Sequence, residues 1–219
     1  MSMVVANMSM SLDGYIADPI DGVDELHGWM ASGDVEVPTA GEWTFRMSAA
    51  SAAYMRSAMT SVGALITGRH LFDITHGWGG THPMGVPVVV VTHEPPVGWP
   101  HQDTFTFAGD VESAVAAAKE AAGEKAVVVA SAKIAQQCLD AGLLDVIYVD
   151  LVPVILGAGV PWFEKLSKTP VRLGTPAVIE GDGVTHLAYE VIRKRAVLAK
   201  EGRPDHRVVA SPTPPDPRS

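Results

Sequence analysis

The chain has 219 residues, of which 47% are hydrophobic, and a formal net charge of −9. That supplies apolar material for one large domain or two small ones, while no run approaches the roughly 20 apolar residues of a membrane span and no Lys/Arg cluster offers the basic face that nucleic-acid binding needs. Cys138 is the lone cysteine, which excludes an internal disulfide framework and a cysteine-rich metal site.

The N-terminus enters a strand-like run at Met3 with neither a basic segment nor a cleavage pattern ahead of it, so the expected location is cytosolic. Met3 to Ser9 is expected as a buried first strand. Ser11 to Ala17 follows as a turn and a short extended piece. Asp18 to Gly41 is rich in Gly, Pro and Asp without a sustained period, which is the character of a lid or binding loop. Met47 to Thr60 predicts a helix with Met47, Tyr54, Met55 and Ala58 near one face. Val62 to Thr67 is an apolar strand that runs into a short helix at Gly68-Arg69-His70. After a loop over Gly77 to Pro87 comes the β-branched strand Val88 to Thr92.

Thr104 to Phe107 is a short strand. Asp110 is an N-cap and Gly123 a C′ residue for a helix over Val111 to Ala122. Ala126 to Ala130 is a strand, and Ser131 is expected to cap a helix that ends near Ala141-Gly142 and buries Ile134, Cys138 and Leu139. Asp145 to Val154 is a strand. Val171 to Ile179 and Val184 to Arg193 form a hairpin about Gly181-Asp182-Gly183. Strands alternating with helices, then two paired strands, argue for an α/β sandwich with a mainly parallel sheet and an antiparallel C-terminal edge. Residues 196–219 carry Pro204, Pro212, Pro214, Pro215 and Pro217 and have the composition of a disordered tail.

Ligands of open α/β sheets sit at the carboxyl ends of the strands. Three such ends are Thr67-Gly68-Arg69-His70, Thr92-His93-Glu94 and Ala130-Ser131-Ala132-Lys133. The first and third present helix-start N–H groups, and the first also a guanidinium, where a phosphate could be held; each also fits an ordinary helix start. Asp13, after the first strand, fits either a group that orients a substrate N–H or relays a proton, or an Asp-Gly turn. His76 and His82 lack the helical spacing of a zinc pair. No Gly-x-Ser-x-Gly elbow is present. Among the tryptophans, Trp29, Trp43, Trp78, Trp99 and Trp162, one or two are candidates to line a pocket for a flat ring.

Taken in order, Ser11-Leu12-Asp13-Gly14-Tyr15-Ile16-Ala17, Thr67-Gly68-Arg69-His70-Leu71-Phe72, Pro87 to Thr92 before Pro95-Pro96, Ala141 to Asp145, and Leu151 to Gly159 resemble the reductase domain of the riboflavin-biosynthesis deaminase-reductase family and its stand-alone bacterial relatives. The resemblance spans about residues 3 to 193, so residues 1–195 are expected to form one reductase domain. It implies a dihydrofolate reductase-like three-layer sandwich, a homodimer, and NADPH (or NADH) as hydride donor. By the same resemblance Gly68 and Arg69 meet the cofactor phosphates, with Thr67 beside them. Thr92 lies near the adenosine ribose, and Ala130, Ser131, Ala132, Lys133 and Ile134 near the pyrophosphate. Ile16 and Ala17 flank the nicotinamide, Gly157 completes the cofactor set, and Asp13 faces the substrate. Asp18 to Trp29 corresponds to a mobile loop over the nicotinamide.

Three positions depart from the family. Ala130-Ser131 replaces a Gly-Gly pair that dihydrofolate reductases join by a cis peptide; a cis bond here would cost about 2.5–4 kcal/mol, and two Cβ atoms would crowd the phosphates. Glu94 stands where relatives often carry an arginine for the 2′-phosphate, and suits a ribose hydroxyl better. Val146 replaces an acidic residue near the substrate. The expected function is hydride transfer from NADPH or NADH to a small heterocyclic or carbonyl/imine substrate, with Asp13 as orienting or proton-relaying group. Its competitors are small-molecule binding in the same cleft without hydride transfer, and a structural homodimer assembled through the tail.

Overall fold

In the computed structural model the described residues are 2–41, 43–99 and 104–193. In chain order the strands are β1 (Val4–Ser11), β2 (Tyr15–Ala17), β3 (Val35–Pro38), β4 (Thr44–Met47), β5 (Val62–Gly68), β6 (Val88–Val91), β7 (Phe105–Ala108), β8 (Ala126–Val129), β9 (Val146–Val152), β10 (Val160–Pro161), β11 (Arg172–Leu173), β12 (Ala177–Glu180) and β13 (Thr185–Ile192). The helices are α1 (Asp24–His27), α2 (Ala49–Ser61), α3 (Arg69–Ile74), α4 (Val111–Ala122) and α5 (Ala132–Asp140), with 3-10 turns at Gly28–Ala31 and His76–Gly80.

The valine-rich runs build the centre. β6 and β8 read Val-Val-Val-Val and Ala-Val-Val-Val, with no polar residue to satisfy, so both faces of each strand are covered. The main sheet has the order β11-β13-β9-β1-β8-β5-β6-β7, with β12 also on β13. From β9 to β7 every pairing is parallel, and β13 runs antiparallel to β9. This is the mainly parallel sheet with an antiparallel C-terminal edge that the sequence predicts.

The period of two divides the strand residues between two faces. Val4, Ala6, Val127, Val129, Ile147 and Val149 pack against α4 and α5, where Cys138 is buried. Val5, Leu65, Val90 and Val128 face the opposite side with Phe72 of α3. Ala52 of α2 closes a third cluster with Leu26, Trp29, Met47 and Val152. Sheet and two helical layers make the three-layer sandwich. No helix among the described residues is long and apolar enough to cross a membrane.

Several boundaries differ from expectation. Asp18 to Gly41 is not all loop: it holds α1, a 3-10 turn and β3, which pairs with β4 in the register Val35↔Met47. Met47 therefore ends a strand, and α2 begins two residues later behind the Ser48 cap. β9 starts at Val146, one residue after Asp145, whose carboxylate accepts from the Val4 amide at 2.9 Å. It stops at Val152, since Pro153 has no N–H to donate. The expected tail from residue 196 lies outside the described residues.

Helix α4 follows its sequence signals closely. Asp110 Oδ1 accepts from the Ser113 amide at 2.7 Å, and Gly123 ends the helix at φ 62°. The hydrogen bonds from Ser113 hold the Asp110 carboxyl below its ordinary value. A depressed folded pKa gives stability that is present above the unfolded pKa and lost as pH falls through the folded one. Asp110→Ala is expected to lower the thermal midpoint at neutral pH, with the gap from the parent closing on acidification. Asp110→Asn, which keeps the cap acceptor, stays near the parent at neutral pH. Circular dichroism melts across pH check this.

Candidate functional site

Because β1, β5, β6, β8 and β9 are parallel, their carboxyl ends share one edge of the sheet. The predicted cofactor residues collect along it. Thr67 is fully buried, and its hydroxyl lies 3.4 Å from the Ala130 carbonyl and 3.5 Å from that of Gly68; it ties the β5 and β8 ends together and presents no hydroxyl outward. Gly68 is buried beside Ser131: a Cβ on Gly68 would come within 3.1 Å of the Ser131 hydroxyl.

That placement corrects the expectation for Ser131. It stands at the N-cap position of α5 but makes no capping hydrogen bond, because its hydroxyl turns towards Gly68. The first amides of α5, those of Ala132, Lys133 and Ile134, are thereby left without a side-chain acceptor. Ala132 and Ile134 are buried, and Lys133 is exposed. The one cis peptide among the described residues is Thr169–Pro170, so the Ala130–Ser131 bond is trans.

Arg69 leans across the edge. Its Nε donates to both Asp73 oxygens, at 2.7 and 2.9 Å, and its Nη1 to the Glu94 carbonyl at 2.5 Å. Thr92 folds back on Glu94, accepting from its amide at 3.2 Å and donating to its carbonyl at 3.1 Å. Arg69 thus anchors the loop after β6, with Glu94 exposed at its tip.

Ile16 and Ala17, both buried, lie on β2 beside β10. Asp13 braces the loop that leads to β10. Its Oδ1 accepts from the Ser11 hydroxyl at 2.7 Å and the Leu156 amide at 3.1 Å, and its Oδ2 from the Gly157 amide at 2.7 Å. The Ser11 hydroxyl holds the Asp13 carboxyl below its ordinary value against an opposing desolvation, with the Gly157 and Leu156 amides adding to the depression. An anion so held is a poor proton donor near neutral pH. Asp13 and Gly157 come together as parts of one brace.

An open cleft of about 2150 Å³ runs along the α2 side of the sheet. It extends from Lys125 and Ala126 at the amino ends of the strands to Ile16 and Ala130 at the carboxyl edge. Trp43 and Trp78 are the tryptophans among its lining residues, and Ile20, Asp21 and Val23 of the expected mobile loop reach it from above. Asp21 is fixed to α3 by a 3.0 Å contact with His70.

The cleft floor holds a polar cluster absent from the sequence expectations. Asp150 of β9 is 3% exposed and His186 of β13 is 2% exposed, and they face each other through the register His186↔Asp150. His186 Nδ1 is 2.7 Å from Asp150 Oδ1, and its Nε2 is 2.9 Å from the Ser51 hydroxyl of α2. Asn7 of β1 donates to Asp150 Oδ2 at 3.2 Å and lies 3.3 Å from the Tyr54 hydroxyl. Tyr54 stacks on the His186 ring at 4.1 Å. Burial, and then the Asp150 carboxylate, push the Tyr54 phenol well above its ordinary value, so it remains a donor. Asp150 lies on the same face of β9 as Val146, four residues on.

The RibD C-terminal domain family matches residues 2–175. The chain belongs to that family. Among solved structures it is similar to a protein of Shewanella sp. PV-4 assigned to riboflavin biosynthesis, with 23% identity and a TM-score of 0.66 over 87% of this chain and 99% of that one. It is also similar to the diaminohydroxyphosphoribosylaminopyrimidine deaminase / 5-amino-6-(5-phosphoribosylamino)uracil reductase of Thermotoga maritima, at 15% identity and TM-score 0.57, over 87% of this chain and 57% of that longer one. The dihydrofolate reductase of Enterococcus faecalis, complexed with NADP(H), shares 14% identity at TM-score 0.52, over 86% of this chain and 96% of that one. At these identities the likeness establishes a dihydrofolate reductase-like fold. No curated protein sequence matches the chain.

Within the RibD C-terminal domain family fold, the carboxyl edge fits an anionic dinucleotide. The α5 amino end is uncapped, Gly68 adds no side chain to the edge, and Arg69 supplies a positive charge beside the Thr92–Glu94 loop. Ala130-Ser131 narrows that fit by two Cβ atoms without the cost of a cis bond.

Proposed function

We propose that this protein is a reductase that uses NADPH or NADH to reduce a small heterocyclic or carbonyl/imine substrate. The observation that carries this is the continuity of the carboxyl edge with the cleft. The amides of α5 and the Arg69 side chain suit a pyrophosphate, and Ile16, at the far end of that edge, also lines the cleft. Family membership supports the same reading.

A bound nicotinamide dinucleotide supplies the hydride; the chain binds, orients and dries. Ile16 and Ala17 offer an apolar surface for the nicotinamide ring. The loop with Ile20 and Val23 covers the cleft mouth, and the His70–Asp21 contact holds it against α3. Tyr54, Asn7 and Asp150 give the substrate polar partners beneath.

The test is a tryptophan-fluorescence titration with NADPH and NADH, made on the natural sequence and on an Ala130→Gly, Ser131→Gly variant. Saturable binding to the natural chain is expected, and tighter binding to the variant, in which the two crowding Cβ atoms are gone. Glu94 predicts comparable affinities for the two cofactors; an NADPH affinity far above that for NADH would remove Glu94 from the argument. No binding to either chain would overturn the proposal.

A further inference from the structure

The charge of the cleft floor carries one more step, which rests on the reductase reading above. Ser48 Oγ donates to Ser51 Oγ at 3.2 Å, and Ser51 Oγ lies 2.9 Å from His186 Nε2. With Ser51 donating in turn, each hydroxyl both gives and accepts. His186 is then the neutral tautomer whose Nδ1–H points at Asp150, 2.7 Å away. The chain of donors runs one way and ends on the Asp150 carboxylate. Asn7 adds a second donor at 3.2 Å, and the Tyr54 phenol beside it stays protonated. A carboxylate accepts about four hydrogen bonds, so capacity remains on the side that lines the cleft.

No free cation answers that charge nearby. Among the described lining residues the sole Lys or Arg is Lys125, beside Glu124. The register places Lys125 at the level of Ser2 and Asp150 at the level of Ser9, which is roughly 20 Å apart at the usual strand rise. His82 is held neutral, its pKa pushed down to about 4 by burial. His27, which also lines the cleft, has its pKa pushed down by burial against the pull of Asp150. Asp21 and several Ser and Thr side chains line the cleft as well, beside the apolar or aromatic Met8, Met55, Leu71, Trp78 and Tyr54 ring.

We infer that the cleft selects a flat substrate bearing a positively charged C=N nitrogen and no phosphate or carboxylate, and that Asp150 is the selecting group. The Thermotoga relative is named for a phosphoribosyl substrate; a phosphate in this cleft would meet a buried anion and no guanidinium or ammonium within reach. An iminium meets a carboxylate in a low-dielectric floor and an aromatic face at Tyr54. In the reaction the substrate carbon gains a hydride as a C–H bond, its C=N π pair collapses onto nitrogen, and the iminium becomes a neutral amine. The reduced nicotinamide is oxidised by those two electrons, and no proton is consumed.

Three flat probes of similar size separate the cases: N-methyl-dihydroisoquinolinium, neutral tetralone and a tetralone carboxylate. Their binding to the cofactor-free protein is measured by calorimetry. The cation is expected to bind about ten-fold or more tightly than tetralone, and the carboxylate more weakly than tetralone. Asp150→Asn should bring the cation down to the level of tetralone in the same variant while leaving NADPH affinity unchanged. A cation no tighter than tetralone in the natural chain overturns the inference, and that comparison stands even if the variant does not fold. So does a preference that survives in Asp150→Asn. Cation selectivity without NADPH binding would uphold the selecting role of Asp150 and remove the reductase reading; NADPH binding without selectivity would do the reverse.

Discussion

His186→Ala should destabilise the chain by about 3–5 kcal/mol, the loss seen when one partner of a buried ion pair or charged hydrogen bond is removed. Asp150 is 3% exposed, and its shortest hydrogen bond, at 2.7 Å, comes from His186. Without the imidazole, Asn7 remains at 3.2 Å, and a carboxylate in that position is largely uncompensated. The packing loss adds to this, since the ring stacks on Tyr54 and meets the edge of Trp29 at 5.1 Å. Urea unfolding of His186→Ala beside the parent measures it. The double variant Asp150→Leu, His186→Phe should recover much of the loss, because it removes the charge together with its partner. A loss below about 1 kcal/mol for His186→Ala would mean that water reaches Asp150 freely, and the dry floor on which its selectivity rests would go with it.

What could be foreseen divides by sequence separation. Helix α4 was legible end to end, because Asp110, the apolar stripe and Gly123 act within one turn of the residues they control. The carboxyl-edge residues were legible because a parallel sheet brings strand ends together whatever the strand order. The β3–β4 hairpin was not: its four-residue strands sit among Gly and Pro, and they hold because Val37 and Met47 are buried against α1 and the 3-10 turn, which local pattern does not show. The Asp150–His186 pair depends on the register of β9 with β13, and Ser51 arrives from a helix 135 residues earlier. One signal was present all the same. Asp150 is the single charge in Val-Ile-Tyr-Val-Asp-Leu-Val, and a charge inside a buried strand requires a partner. The family resemblance sets its acid at the position of Val146, four residues before the acid that this chain buries. Asp13 was equally compatible with a turn and with a site; its carboxylate ties the turn, through Ser11, to the Leu156-Gly157 loop, a long-range partner that local pattern does not show.

Gly159→Ala should weaken NADPH binding by about ten-fold or more while the main sheet stays folded. Gly159 sits at φ +148°, and a Cβ there would lie 2.0 Å from the Ala17 carbonyl oxygen and 3.2 Å from the Asp18 Cα. Nothing flexible can give way, since each of these atoms is backbone. The substitution must therefore push β2 from β10, whose register holds Val160 opposite Ala17. That moves Ile16 and Ala17 from the nicotinamide end of the edge, and with them the start of the loop over the cleft. β2 is three residues long and pairs outside the main sheet, so the sheet stays folded, with a stability loss from Ile16, which packs in the main core cluster. Gly157→Ala is the control. Gly157 also has a positive φ, +74°, but a Cβ there meets nothing within 4 Å, so its cost is confined to the left-handed backbone, about 1–2 kcal/mol. Fluorescence titration of both variants, with thermal melts alongside, separates the two effects. If Gly159→Ala binds NADPH as the parent does, then Ile16 and Ala17 do not flank the nicotinamide, and the hydride must be delivered at another part of the edge.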